Sequence, residues 1–459
     1  MPIIKKKSKN NKIKYYIFGL PILKIQKSGN YRKIYLLGLN IFKYYYKEKQ
    51  IIKNEQGYKQ LYIQGFSLFK NKNIQQKDKV AVFGILPPKT SGIALYTYKT
   101  FTVVPKIYDI FSEVEDINIY NKLLKNSENI YPIGMYDYLN IFQKYKSQIY
   151  ILGNSDHHKK ILKKAIETKN ISNRWLYLHE AMLLWGIFPT FGDDFATCLP
   201  LVKESYPEYY EVIKNFNDMG DIYKFLSNKN YGGVRILIDI TKIQNIIVNN
   251  NIAKNLIINE LTEEQRKIVN IKVVFLPIEE LNVKKIDLKN ENCTIIGSFG
   301  IPQEAKQTDL LIEAVKLLND ENDNKYKLLL AGYGVFNYLE NNNIHEKFIL
   351  PYDSPNSEYL YRLMASVNLA VQLRKNPRGE SSGCISQLLS LNQKIITTDG
   401  FVSEYGYNCC NTVSKNITAR ELAQTIKRVH YCKQNYNSSI LIEKFSFKKL
   451  SELIYKEII

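Results

Sequence analysis

Leu373-Arg-Lys-Asn-Pro-Arg-Gly-Glu-Ser-Ser-Gly383, followed by Ile395-Ile-Thr-Thr-Asp-Gly400-Phe-Val-Ser-Glu404, is the stretch that decides the architecture. The apolar run Asn368–Leu373 reads as a strand, Ser382–Leu391 as a helix and Gln393–Thr398 as the next strand. A strand that hands over to a helix and then to another strand belongs to a parallel sheet buried on both faces. The strand delivers Arg374 to the carboxyl edge of that sheet, and the loop sets Glu380, Ser381, Ser382 and Gly383 at a helix start. Free N–H groups and the helix dipole make such a start an anion site, and Gly383 admits a phosphate closely. Ser381 or Ser382 can cap the helix. Glu380 repels phosphate and is better used on sugar or ribose hydroxyls. A cap with solvated charges is the plainer reading of the same residues.

The same alternation extends in both directions. Cys293–Ser298, Tyr326–Ala331 and Asn368–Leu373 read as strands, while 309–320, Glu358–Ser366 and Ala419–Val429 have helical spacing. Before them, Val80–Leu86, Ile107–Val114, Gln148–Leu152, Trp175–Leu178 and Ile271–Leu276 read as strands, with helical stretches at Gly92–Phe101 and Tyr136–Tyr145. Residues 190–230 give no clear pattern. Two such halves imply two doubly wound α/β domains with a cleft between them, and in this architecture ligands bind at the carboxyl ends of the strands.

Three motifs in order carry a family resemblance. They are Gly297-Ser-Phe-Gly-Ile-Pro-Gln-Glu-Ala-Lys306 with Asp309-Leu-Leu-Ile-Glu-Ala-Val, Leu329-Leu-Ala-Gly-Tyr-Gly334, and Gly379-Glu-Ser-Ser-Gly383 through Glu404. Together they resemble the donor-binding domain of the retaining GT-B glycosyltransferases that use sugar nucleotides, in particular bacterial family 4-like members. Phe83-Gly-Ile-Leu-Pro-Pro-Lys-Thr-Ser-Gly-Ile-Ala-Leu-Tyr96 is similar to the first strand and glycine loop of their acceptor domain. The resemblance implies a GT-B fold of two Rossmann-like domains, with the boundaries 1–78 for a basic N-terminal segment, 79–288 for the acceptor side and 289–459 for the donor side.

Carried over residue by residue, the resemblance makes Lys306, Glu380 and His179 catalytic. Gly300, Lys306, Arg374, Glu380, Ser381, Ser382, Gly383 and Glu404 become the donor site, and Ser91, Gly92 and His158 the acceptor side of the cleft. Lys306 would neutralise the pyrophosphate and Glu380 would contact the transferred sugar. Two positions depart from the family. The usual Arg before the Lys is replaced by Gly300-Ile301, and the second Glu, eight residues after the first, is Leu388. Arg374 is a candidate for the missing positive charge, and the ribose ligand is unassigned. His157 and His345 are weaker candidates, and Asp193-Asp194 reads as surface or capping carboxylates rather than a metal site. No residue is assigned to a metal and no resident cofactor is expected, the nucleotide-diphosphate sugar being a co-substrate.

The 459 residues are 45% hydrophobic and 24% charged, which suits two or three folded domains. Six cysteines form no CxxC pair and suit a reducing cytosol. No apolar run reaches the ~18–20 residues of a membrane span. The net charge of +20 is uneven: residues 1–80 carry +16 and the remainder +4. The basic segment repeats Tyr15-Tyr-Ile-Phe-Gly19, Ile34-Tyr-Leu-Leu-Gly38 and Leu61-Tyr-Ile-Gln-Gly65, each two strand-like pieces about a Gly. Three uses stay open for it: docking to an anionic membrane surface, which fits Lys interleaved with Tyr, Phe and Ile, nucleic-acid binding, which is disfavoured because no recognition module is present, or a solvated add-on.

The expected function is retaining, metal-independent transfer of a sugar to a carbohydrate or lipid-linked glycan acceptor, in surface polysaccharide or lipopolysaccharide assembly. The expected place is the cytoplasm, with peripheral docking at the inner face of the plasma membrane. The rival is a non-catalytic GT-B protein that binds sugars or acts as a scaffold; an epimerase or phosphorylase is a further one.

Overall fold

The computed structural model describes residues 79–89, 91–113, 129–143, 145–168, 173–288, 293–321, 325–401, 405, 409–432 and 436–458, together with the backbone of seven N-terminal strands between Ile4 and Ser67. The chain forms two compact units, Met1–Gln75 with Val114–Pro132, and Gln76–Glu113 with Ile133–Ile459.

In the first unit, Ile4–Lys9, Lys12–Ile17, Leu20–Ser28, Tyr31–Leu36 and Leu39–Tyr45 make a five-stranded antiparallel sheet in chain order. Ile17 pairs with Leu20, Leu36 with Leu39, and Ile63 with Phe66. Each sequence repeat therefore spans two antiparallel paired strands. Gly19, Gly38 and Gly65 themselves lie outside the described residues.

The second unit holds two parallel sheets. Across the first run Tyr108–Ser112, Val80–Phe83, Ser147–Leu152, Arg174–Leu178, Asn245–Val248 and Asn270–Val273. Across the second run Ile349–Asp353, Tyr326–Gly332, Thr294–Phe299, Leu369–Gln372, Ile395–Thr398 and Asn411–Val413. Val80, Ala81, Val82 and Phe83 are all fully buried, as a central parallel strand covered on both faces must be. In the second lobe, helices Thr308–Glu321 and Ala419–Tyr431 lay Leu311, Val315, Leu318, Leu422 and Ile426 on Leu328, Leu369, Val371 and Ile396. Each such side chain contributes about 1.5–3 kcal/mol relative to exposure. This is the GT-B arrangement expected from the sequence.

Strand order reverses once in each lobe, between Val80–Phe83 and Ser147–Leu152 and between Thr294–Phe299 and Leu369–Gln372. Loops leaving the two strands at such a point diverge and open a crevice. Segment 190–230, unreadable by pattern, is mostly short helices, including Phe195–Ser205 and Met219–Asn228. Asp194 caps the former through Thr197 N (2.8 Å) and Asp193 accepts from Tyr223 Oη (2.8 Å), so both carboxylates are structural.

The last helix, Phe447–Ile458, returns to the first lobe. Tyr108 Oη donates to Ser451 O (2.6 Å), Asn173 Nδ2 donates to Ile458 O (2.6 Å), and Lys272 pairs with Glu457 (2.8 Å). Among the described residues no helix is long and apolar enough to cross a membrane.

Candidate active site

In the second lobe the two loops at the reversal point are tied together. Lys375 N donates to Ala305 O (3.0 Å) and Lys375 Nζ pairs with Glu304 (2.5 Å). This brings Lys306, at the end of the short turn Glu304–Lys306, beside Arg374. Gly300 has φ +95, and a Cβ there would stand 2.8 Å from Lys306 Nζ and 3.7 Å from Cys384 Sγ. An Arg at position 300 would therefore fill the space that Lys306 uses. Gly332 is equally constrained, since its Cβ would lie 2.3 Å from Gly300 O. The Lys306 ammonium has no ion-pair or hydrogen-bond partner among the described residues. Burial, with Arg374 adding to it, brings its pKa down to about 8.

Arg374 is held at four points. Its N–H donates to Thr398 Oγ1 (2.8 Å), its Nη1 to Leu373 O (2.9 Å), and its guanidinium lies 4.5 Å from the centre of the Phe401 ring. Its Nε is 3.4 Å from Glu380 Oε1, while Arg378 N donates to Glu380 Oε2 (2.6 Å). Ser382 caps helix Gly383–Ser390 by accepting from Ile385 N (3.3 Å). Gly383 opens that helix with free space around its Cα, so the first N–H groups remain available to an anion. Ser381 is differently used: its Oγ accepts from Asn250 Nδ2 of the first lobe (3.1 Å). Leu388 is fully buried, which removes that position from ribose binding. Glu404 lies outside the described residues.

The loop 378–381 rests on the first lobe. Asn250 Nδ2 also donates to Gly379 O (2.9 Å), and Ala181 N donates to Arg378 O (3.3 Å). Gly379 has φ +80, and a Cβ would come 2.5 Å from Ala253 Cα. A side chain there would push the lobes apart.

On the first lobe, Ser91 caps helix Gly92–Thr102 through Ile93 N (3.2 Å) and Gly92 is open above it. The two candidate histidines sit at the carboxyl edge but turn inward. His158 is 1% exposed, its Nδ1 is 3.1 Å from Ile151 O, and its Nε2 has no partner among the described residues and points toward Gly153. His179 stacks on Tyr177 (4.8 Å) and meets Tyr96 edge-on (4.4 Å), with Nε2 likewise unpartnered. Burial lowers their pKa values to about 4 and about 3, so both imidazoles are neutral at physiological pH. His157 is more exposed and lies 3.6 Å from Asp156.

Glu180, next to His179, is the residue that sequence reasoning passed over. Burial first and the charge of Glu380 second raise its pKa to about 7. One oxygen accepts from Asn154 N (3.1 Å), and the other has no partner among the described residues. The Glu180 carboxyl of the first lobe thus lies within electrostatic reach of the Glu380 carboxyl of the second. The only signal in the sequence was its place, two residues beyond a buried strand.

The architecture is shared with solved glycosyltransferases. Anabaena HepE, solved with UDP and glucose, is 13% identical with a TM-score of 0.54, over 83% of this chain and 99% of that one. A glycosyltransferase from Rickettsia africae is 13% identical, TM-score 0.51, over 83% and 99%. The UDP-forming α,α-trehalose-phosphate synthase of Burkholderia xenovorans, in complex with glucose-6-phosphate, is 8% identical, TM-score 0.53, over 83% and 99%. No family model and no curated protein matches the sequence. The fold is that of the GT-B glycosyltransferases.

Proposed function

We propose that the chain is a glycosyltransferase that moves a sugar from a nucleotide-diphosphate donor to a carbohydrate or lipid-linked acceptor, with the anomeric configuration retained. The observation that carries this reading is a Lys306 ammonium with no partner among the described residues, beside Arg374 and the open start of helix Gly383–Ser390. Breaking the glycosyl–phosphate bond leaves negative charge on the diphosphate. Lys306, Arg374 and the amides of Gly383 and Cys384 are already in place to receive it, so little reorganisation accompanies the step. These fixed positive groups do the neutralising, which leaves no role for a resident cofactor or metal. Glu380, oriented by Arg378 N and Arg374, is free to take sugar hydroxyls. Glu180 serves the acceptor hydroxyl from the opposite lobe. Binding of UDP and glucose by HepE, and of glucose-6-phosphate by the trehalose-phosphate synthase, is in keeping with this division of labour.

The donor lobe is then 289–446 rather than 289–459, because the last helix, Phe447–Ile458, packs with 79–288 on the acceptor lobe; residues 1–78 are a basic module. We place that module against an anionic bilayer, with the chain at the inner face of the plasma membrane and its product in surface polysaccharide or lipopolysaccharide. A non-catalytic sugar-binding protein is the second reading, favoured by the burial of Leu388 where a ribose-binding Glu would stand. The two separate on incubation with a panel of labelled sugar nucleotides. Release of nucleoside diphosphate that depends on Lys306 and Glu380 supports the transferase. Turnover unchanged in both Lys306→Ala and Glu380→Ala refutes the assignment.

A further inference from the structure

The acceptor side presents an exposed aromatic surface that the donor chemistry does not use. Trp185 is 54% exposed, and one face of its indole stacks on Tyr223 at 4.2 Å and 13°. Tyr223 is fixed in turn by its bond to Asp193 (2.8 Å). The turn carrying Trp185 cannot drift. Trp185 N donates to Asn154 Oδ1 (2.8 Å), and Leu183 N donates to Gly232 O (2.9 Å). A Cβ on Gly186 would come 2.6 Å from Gly153 O, and one on Gly232 only 1.7 Å from Ala181 O. Both glycines let backbone meet backbone directly around this turn. Asn154 links this turn to the cleft, because its own N–H is the donor to Glu180 (3.1 Å).

We propose that Trp185 is the platform on which a pyranose ring of the acceptor stacks, with Glu180 and the indole N–H taking its hydroxyls. This rests on the reading of the first lobe as the acceptor side. A pyranose offers an apolar face of C–H groups rimmed by hydroxyls. The site offers a flat ring, rigid on its far side, with hydrogen-bonding groups reached through Asn154. A rigid aromatic with one face in water binds at little entropic cost. A lipid chain would ask for a continuous apolar groove, and the carboxyl and amide beside this turn interrupt one.

The chain has two tryptophans, and Trp175 is buried at 4% exposure. Quenching of tryptophan fluorescence by acrylamide therefore reports on Trp185. The probes are methyl glycosides of glucose, galactose and N-acetylglucosamine, with mannitol as a ringless polyol and dodecanol as an apolar chain. At least one glycoside should lower the quenching constant about twofold, and mannitol should not. Titrated by calorimetry, that glycoside should bind Trp185→Ala about tenfold or more weakly, a loss of roughly one stacking contact, and Trp185→Phe should retain part of the affinity. Melting temperatures near wild type establish that both variants are folded. Shielding by dodecanol alone, shielding by no glycoside, or equal glycoside affinity in Trp185→Ala overturns the proposal. The measurement needs no donor, so a protein that never releases UDP can still satisfy it, and an active transferase can still fail it.

Discussion

The Lys306 ammonium lies 2.8 Å from the point where a Cβ on Gly300 would stand. The glycine thus leaves the space in which the Lys306 ammonium sits. Lys306→Ala should lower kcat/KM for the donor about ten- to a hundredfold or more, the worth of one charged hydrogen bond. Gly300→Ala should do the same with Lys306 still in place, because the side chain is displaced and the φ of +95 is strained. Steady-state kinetics with the donor found by the sugar-nucleotide panel read both.

Donor affinity should weaken above pH 8. Lys306 is about half deprotonated at pH 8, where an exposed lysine is still charged, and a neutral amine holds diphosphate poorly. Calorimetry at pH 8 in buffers of different ionisation heat should show proton uptake on binding UDP. Lys306→Arg should remove that uptake, since a guanidinium stays charged throughout.

Glu180 should cost stability in alkali. Its folded pKa of about 7 lies above the usual carboxyl value, so the unfolded chain ionises first as pH rises. The cost is absent below about pH 4, grows between there and 7, and is complete above. Thermal melts should show Glu180→Gln more stable than wild type at pH 8 and equal to it in acid. A constant difference at every pH would contradict the cause given.

His158 and His179 act in the opposite sense. With folded pKa values of about 4 and about 3, they take up protons only after the unfolded chain has done so. Stability should fall as pH drops below 6.5, and their ring C–H resonances should stay flat from pH 8 down to about 5. Titration of His179 near 6.5 would place it outside the Tyr96 and Tyr177 packing, and titration of His158 there would place it outside its buried contact with Ile151 O.

Gly379→Ala should loosen the interlobe contact. The residue has φ +80, which costs an alanine roughly 1–2 kcal/mol, and its Cβ would strike Ala253 Cα at 2.5 Å. A lower melting temperature and a raised donor KM are expected together.

Much of this was readable in the sequence because parallel strands buried on both faces are continuous apolar runs. Val80–Phe83, Ser147–Leu152 and Thr294–Phe299 stand out for that reason. Asn245–Val248 did not, being four residues among short helices. The donor loops were legible because each ends such a strand. The first-lobe side was not, because strand ends show which residues reach the cleft edge but not which way they turn. His179 enters the core against Tyr177, while Glu180, one position on, faces the other lobe. Trp185 lies in the sequence among Leu183, Leu184 and Ile187, which are buried, and its exposure with one face on Tyr223 is seen only in the structure.

Among the described residues, 274–288 leave the first lobe and the chain comes back to it before Phe447. At those passages Ile278 N donates to Phe445 O (2.8 Å), and the ring of Phe445 lies 5.1 Å from that of Phe275. Two tethers laid side by side resist sliding and twisting far better than one. The cheap motion left to the molecule is a swing about the line they share, like a book turning on its spine. Clipping the last helix from Phe447 onward would cut one tether and set the pages loose, even though none of its residues approaches Lys306.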